Sequence, residues 1–148
     1  MYYILQCLYS FACVVGFSII FNLPRKLLLP AGISGMVGWL IYVIIQPMTD
    51  SFLLPSLVGS IVVGIMGESF AYVKKHPATL FTIPGIIPFV PGYGIYYTML
   101  YVVNGDINQA INTGAQSLFI AISIACGIIL ATTFMRRLKP FILGHIKS

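Results

Sequence analysis

Three prolines and three glycines interrupt an otherwise apolar run, residues 78–103. The interruption covers residues 82–94, which read TIPGIIPFVPGYG. Because proline has no N–H and clashes with the preceding turn, a regular helix cannot pass through this segment. The carbonyls of Leu80, Pro84 and Ile87 would then lack helical partners. The glycines at 85, 92 and 94 would allow positive φ and expose N–H groups. The segment therefore predicts a broken helix.

Composition places this break inside a membrane. Hydrophobic residues make up 59% of the 148 residues and charged residues 7%, whereas soluble domains carry about 25% charged residues. In hydrocarbon, an irregular backbone persists only where protein covers it or where it lines a polar cavity. A broken helix near the middle of a span is also the sequence pointer to a transport site.

The apolar residues divide into blocks of membrane-spanning length, roughly 20 residues each. We predict an all-α integral membrane protein with a single transmembrane domain over residues 1–148. Its five spans lie at about 2–22, 27–46, 52–73, 78–103 and 110–135, and the fourth contains the break. The first span has no charged n-region and no small-residue cleavage site. This favours a span that is retained over a signal peptide that is removed.

The charges between the spans predict the topology. The Lys and Arg residues at the span boundaries all follow odd-numbered spans. They are Arg25, Lys26, Lys74, Lys75, Arg136, Arg137 and Lys139. Asp50 and Asp106 follow the even-numbered spans. Five crossings place all these cations on the cytoplasmic side, so the N-terminus lies outside and the C-terminus inside. A re-entrant hairpin at 82–94 is the competing arrangement, with four crossings and the last cations outside. The basic charge is thus interpreted as a topology signal, and we expect no nucleic-acid partner.

Small residues and one acid mark the second and third spans. Small side chains at helical spacing let helix backbones approach closely, and we assign that packing role to Gly32, Gly35, Gly38, Ser60 and Gly64. Glu68 precedes Lys74 by about 9 Å along a helix axis. An ionisable residue inside a span is a functional hypothesis. The alternative is a side chain that snorkels toward Lys74 or Lys75, or that pairs with a partner subunit.

No residue pattern indicates a metal, a cofactor or an enzyme. Cys7, Cys13 and Cys126 lie in apolar blocks without metal-ligand spacing. An intramembrane enzyme needs a nucleophile with its base, or clustered metal ligands. One Glu and no His within the spans disfavour that class.

An odd number of spans has a consequence for assembly. A similar second unit of five spans, joined in one chain, would be inverted in the membrane, which is the plan of many transporters. We therefore predict half of an inverted-repeat transporter that works with a partner carrying the other half.

Three stretches carry a resemblance to a known family. They are residues 22–27 (NLPRKL) with 31–35 (AGISG) and Gly38-Trp39, then Gly67-Glu68 ahead of Pro77-Ala78, then residues 83–92 (IPGIIPFVPG). The chain resembles the small, YjjB-like subunit of the threonine/serine exporter (ThrE) family. The resemblance implies a secondary exporter of small hydroxy-amino acids or dicarboxylates such as succinate. It also implies a larger, YjjP-like membrane subunit and the bacterial inner membrane as location.

Our first hypothesis is export by alternating access at the broken span. The expected substrate path consists of Thr82, Pro84, Gly85, Pro88, Pro91, Gly92, Tyr93 and Gly94. Glu68 would load and release a proton. The alternatives are a membrane scaffold with no transport site of its own and a channel-like subunit whose pore the break lines. Self-association into a homo-oligomer is left open.

Overall fold

The computed structural model describes the backbone of residues 1–146 and the side chains of residues 1–138. Across that range the chain is helical and contains no strand. The helices are α1 (Tyr2–Ile20), α2 (Arg25–Ile45), α3 (Leu53–Lys74), α4 (Thr79–Gly85), α5 (Gly92–Val103) and α6 (Ile107–Ile146). Short 3₁₀ turns cover Gln46–Met48 and Ile87–Phe89. The chain is thus an all-α protein whose helices follow the apolar blocks of the sequence.

Left-handed residues end three of these helices. Asn22, Lys75 and Gly105 follow α1, α3 and α5 with φ of 58°, 55° and 79°. In each case the next residue's N–H reaches back to a carbonyl five residues earlier: Leu23 to Ser18, His76 to Ala71 and Asp106 to Tyr101, at 3.0, 3.1 and 2.9 Å. This is the Schellman arrangement, which satisfies carbonyls that a helix end otherwise leaves unpaired. Asn and Gly are usual at such a position, and Lys75 is not.

Glycines on α2 bring its backbone against α3 and α4. A methyl group at Gly38 would lie 3.0 Å from the Gly59 carbonyl oxygen, and one at Gly59 would lie 3.1 Å from the Gly38 carbonyl oxygen. One at Gly35 would lie 3.0 Å from the carbonyl oxygen of Gly85 on α4. Gly32 faces α1, where a methyl group would meet Phe11 at 2.5 Å. The small face of α2 therefore lies against three neighbouring helices.

An aromatic cluster closes the side of the bundle where α2 meets the broken helix. Trp39 stacks on Tyr42 with ring centroids 4.7 Å apart and meets the edge of Phe89 at 5.6 Å. Its indole N–H donates to Gln6 Oε1 at 3.0 Å. Trp39 is consequently a packing residue that ties α1 to α2.

The order of contacts shows which way each helix runs. On α6, Gly127 lies against Leu57 and Ser60, and Ala131 lies against Gly64. Later residues of α3 thus contact later residues of α6, so these two helices are parallel. A hairpin at the break would have returned the chain to its starting end and made α6 antiparallel to α3. Together, α4 and α5 instead carry the chain from the end of α3 to the opposite end of the bundle, with a 54° bend between them.

By length and hydropathy four helices are able to cross a membrane, or five if the bent pair is one span. One end of the bundle carries the cations at positions 25, 26, 74, 75, 136 and 137. Leu27, next to the first pair, packs in a cluster with Ala71 near the second pair. Arg136 lines a cavity with His76, which follows the second pair. Lys139, the remaining topology residue, lies outside the residues whose side chains are described. The cations thus collect at the end of the bundle where α3 ends, which we call the basic end.

The break is shorter and better bonded than the sequence predicts. Residues 82–85 belong to α4, so the irregular part is limited to residues 86–91. The Ile87 carbonyl accepts the Val90 N–H at 3.2 Å, and the Pro84 carbonyl accepts a backbone N–H at the end of α4. The prediction that these two carbonyls lack partners is wrong, because the 3₁₀ turn supplies donors that an α-helix would not.

The glycines of the break are also not in the predicted conformation. Gly85, Gly92 and Gly94 lie within helices, and among the glycines of the described chain only Gly105 has positive φ. The Gly92 N–H donates to the Val90 carbonyl at 2.7 Å across Pro91, whose φ of −75° and ψ of 58° form an inverse γ-turn. A methyl group at Gly85 would meet Val63 and Ser34 at 2.8 and 3.0 Å. Gly85 is therefore required for close packing and not for its φ.

Gly105→Ala should lower stability through backbone conformation alone. Nothing lies within 4 Å of a methyl group there, and a left-handed non-glycine residue costs about 1–2 kcal/mol. Gly16→Ala is the matched control, because Gly16 is helical and its methyl group would also meet nothing. Thermal unfolding in detergent should show a lower melting temperature for the first variant and no decrease for the second. Equal melting temperatures would contradict the left-handed assignment.

Candidate functional site

A cavity of about 550 Å³ lies between α3, α4 and α6 near the basic end. Seven side chains give its lining polar or charged character: Glu68, Tyr72, His76, Thr79, Thr82, Thr132 and Arg136. The rest of the lining is mainly apolar. Sites for small molecules have volumes of about 300–1,000 Å³, with a few polar groups on apolar walls. The cavity is the candidate functional site.

Glu68 lies on α3 and is 3% exposed. Two glycines that precede it on α3 allow the neighbouring helices to approach. A methyl group at Gly67 would lie 2.5 Å from Thr82 Oγ1 on α4, and one at Gly64 would lie 2.6 Å from Ala131 on α6. The same small residues that pack the three helices therefore place a carboxylate between them.

Hydroxyl groups and a guanidinium complete the polar lining. The Thr82 hydroxyl donates to the Ala78 carbonyl and the Thr132 hydroxyl to the Ile128 carbonyl, both at 2.9 Å. A hydroxyl oxygen that donates still has lone pairs with which to accept. Arg136 follows Thr132 by one helical turn and offers a permanently charged donor for a carboxylate. The cavity thus combines a carboxylate, a guanidinium cation and hydroxyl acceptors, which are the groups that bind a small polar molecule.

The structure divides the predicted substrate path among three surroundings. Among the predicted path residues, only Thr82 lines the cavity that contains Glu68. Pro84 and Gly85 are buried, and Pro88 is half-buried in the 3₁₀ turn. The other predicted residues lie toward α5: Pro91 lines an apolar groove, Gly92 and Tyr93 are exposed, and Gly94 contacts Ser117.

Five polar residues of the lining were not predicted as site residues: Tyr72, His76, Thr79, Thr132 and Arg136. From the sequence, Arg136 is assigned to topology alone and Thr132 has no role. Both share one face of α6 with Ile128, because the three are spaced by four residues. That spacing was visible in the sequence, but which face turns toward Glu68 depends on the contact between Gly64 and Ala131. Within residues 1–138, no three His, Cys, Asp or Glu side chains group as a metal site.

Comparison with known proteins identifies the family. The model of the family described as "Threonine/Serine exporter, ThrE" matches residues 6–134. The chain belongs to the threonine/serine exporter family. The match includes α3, α4, α5 and all the lining residues from Glu68 to Thr132, and it ends two residues before Arg136. The predicted resemblance to this family is confirmed, and together with the apolar helices it makes the chain a multi-pass membrane protein of an exporter family.

A curated relative from Haemophilus influenzae, named only as an uncharacterized protein, is 26% identical over 153 residues. The alignment covers 95% of this chain and 51% of the relative. The chain therefore spans about half the length of the curated relative that it matches. No solved structure matches it.

A double-mutant cycle tests how tightly α3 and α4 approach beside Glu68. Gly67→Ala puts a methyl group 2.5 Å from Thr82 Oγ1, and overpacking of this kind costs roughly 1–3 kcal/mol. Thr82→Ala removes that oxygen and leaves the next Thr82 atom at 3.5 Å. Most of the destabilisation by Gly67→Ala should therefore disappear in the Thr82→Ala background, as measured by thermal unfolding in detergent. Additive effects of the two changes would contradict the contact.

Proposed function

We propose that this chain is one half of a secondary exporter of small amino acids or carboxylates, which loads its substrate in the cavity beside Glu68. Membership of the threonine/serine exporter family supports transport in general. The observation that carries the assignment is that a buried carboxylate, a guanidinium and three threonine hydroxyls line one cavity. In this arrangement Arg136 binds the substrate carboxylate, and the hydroxyl oxygens accept from an ammonium or hydroxyl group.

The basic end of the bundle is the cytoplasmic end in this proposal. Cytoplasmic loops of membrane proteins carry an excess of Lys and Arg, and six cations collect around the ends of α1, α3 and the last turns of the described α6. The parallel course of α3 and α6 supports five crossings with the N-terminus outside. The cavity then opens on the side from which an exporter collects its substrate, in a bacterial inner membrane.

Single cysteines at Lys75 and Asp106 test this topology, in a background from which Cys7, Cys13 and Cys126 have been removed. Lys75 precedes the bent pair of helices and Asp106 follows it. A membrane-impermeant thiol reagent applied to intact cells should label Asp106→Cys and spare Lys75→Cys. Inverted vesicles should show the reverse. Labelling of both positions from one side would contradict five crossings.

Glu68 is the proton carrier in this proposal. It is one of only three acids in the sequence, and the other two, Asp50 and Asp106, lie between the long helices. Ionisable residues within spans commonly serve as proton relays. Protonation would change the charge of the cavity as the site turns from one side of the membrane to the other, and this would couple export to the proton gradient.

Glu68→Gln should remove this coupling, while Asp106→Asn should not. A hydrogen bond to a charged group contributes about 1.5–3 kcal/mol, so the export rate should fall roughly tenfold or more. Counterflow of labelled threonine, serine and succinate in liposomes at several pH values measures both the rate and its pH dependence. The residual rate of Glu68→Gln should not vary with pH. An unchanged rate with the wild-type pH profile would contradict the role of Glu68.

A larger membrane subunit supplies the other half of the path in this proposal. The Haemophilus influenzae relative is about twice as long as this chain, which supports a functional unit of two halves. α5 has no buried residue in the structure, so a large surface beside the break is open to a second half. A similar unit of five spans joined to this one in a single chain would be inverted, and we propose the same arrangement for the separate larger subunit.

A further inference from the structure

A second cavity adjoins the polar one at the break. It is an apolar groove of about 510 Å³ between the break, the start of α5 and α6. Val90, Pro91 and Ile95 form one wall, and Ala121 and Ala125 belong to the other. The polar cavity lies toward the basic end, and the groove lies beside the irregular backbone farther along the same helices.

Among the described residues, only Ile86 and Ile128 line both cavities. A solute that moves directly from the polar cavity into the groove would therefore pass between these two side chains. Both are large and apolar, and a narrow apolar constriction closes a pathway by excluding water. We propose that Ile86 and Ile128 form the gate that separates the cytoplasmic cavity from the break. This inference rests on the proposed transport function.

The two walls of this gate differ in how they are held. Ile128 belongs to the long helix α6, and its Cα lies 3.7 Å from a methyl position at Gly64 on α3. The Thr132 hydroxyl donates to its carbonyl. These contacts fix Ile128 to the parallel pair of α3 and α6. It is the stationary wall.

Ile86 lies between α4 and the 3₁₀ turn, three residues before the segment at which the chain bends. It follows the last residue of α4 and precedes the 3₁₀ turn, with φ of −88° and ψ of −7°. Its N–H donates to the Thr82 carbonyl at 3.1 Å, and its carbonyl accepts the Phe89 N–H at 3.0 Å. The 54° bend lies between Phe89 and Gly92, so a change of that bend displaces the groove wall at Pro91 and reaches Ile86 through the 3₁₀ turn. The backbone of Ile86 also connects directly to Thr82, a residue of the polar cavity, so occupancy of that cavity and the position of the gate are linked.

Accessibility of the groove tests the gate without any transport measurement. Val90→Cys, in a background lacking the three native cysteines, reports whether water reaches the groove from the basic end. Inverted vesicles receive a membrane-impermeant thiol reagent. Ile86→Ala and Ile128→Ala should each raise the labelling rate about tenfold, because a thiol reacts as its thiolate in water and not in hydrocarbon. Leu130→Ala, an exposed position on α6 outside both cavities, should leave the rate unchanged.

Equal labelling in all four proteins overturns the gate, whatever the outcome of transport assays. Conversely, a wild-type protein that shows the labelling pattern but no counterflow when reconstituted together with its larger subunit overturns the proposed transport function and leaves the gate in place. The two failures are therefore distinguishable.

A reversible cross-link provides the second test and does not depend on alanine variants that fold. Ile86→Cys with Ile128→Cys, joined by a disulfide, should abolish counterflow, and reduction should restore it. Thr98→Cys with Gly114→Cys is the matched control, because a Thr98 methyl carbon lies 3.1 Å from a methyl position at Gly114 in a contact between α5 and α6 away from the gate. That cross-link should leave counterflow intact. Equal inhibition by both cross-links would show that general mobility of α6 matters, and it would overturn the gate.

Discussion

Unpaired backbone groups in hydrocarbon are the constraint on which this structure depends. Each such group costs several kcal/mol in lipid, and three prolines within eight residues remove three donors from one span. The chain responds with local turns. The 3₁₀ turn and the γ-turn across Pro91 recover the bonds of Pro84, Ile87 and Gly92. The turns do not satisfy the donors at the start of α5, because the first N–H groups of a helix have no partner within that helix. Those groups require water or protein, so the break is expected to face an interior.

Close contacts of glycine hold the helices that surround the break. Helices in lipid gain little from burying apolar side chains, so backbone approach and van der Waals contact supply much of their association. Gly38 and Gly59 bring α2 against α3, Gly35 and Gly85 bring α2 against α4, and Gly64 brings α3 against α6. Glu68 is buried as a consequence of the same contacts. Packing and the candidate site therefore have one origin, and a change that separates these helices will affect both.

The sequence was informative about the elements and less so about their arrangement. Proline chemistry and hydropathy located the broken span, and the sorting of cations agreed with the parallel α3 and α6. The conformation of the break was harder to predict, because proline rules out an α-helical hydrogen bond but does not determine which turn replaces it. Gly85 illustrates the difficulty: the same residue type serves positive φ or close packing, and only the neighbouring Val63 and Ser34 decide between them.

The candidate site was predictable to the same limited degree. Glu68 stood out as an acid within a span, and Thr82 was included in the expected path. Arg136 and Thr132 join them only because α6 lies parallel to α3 with a particular face inward. That face depends on contacts between residues more than 60 positions apart, such as Gly64 and Ala131, which periodicity within one helix does not contain.

A spin label at Gly92 tests most directly whether the break faces a wet interior. A side chain at Gly92 would meet nothing within 4 Å, so a label there reports on its surroundings without displacing the chain. In a lipid bilayer, its collisions with a water-soluble nickel complex should be frequent relative to those of a label at Leu118, an exposed position on α6. Collisions with oxygen alone at both positions would place the break against lipid and contradict the account.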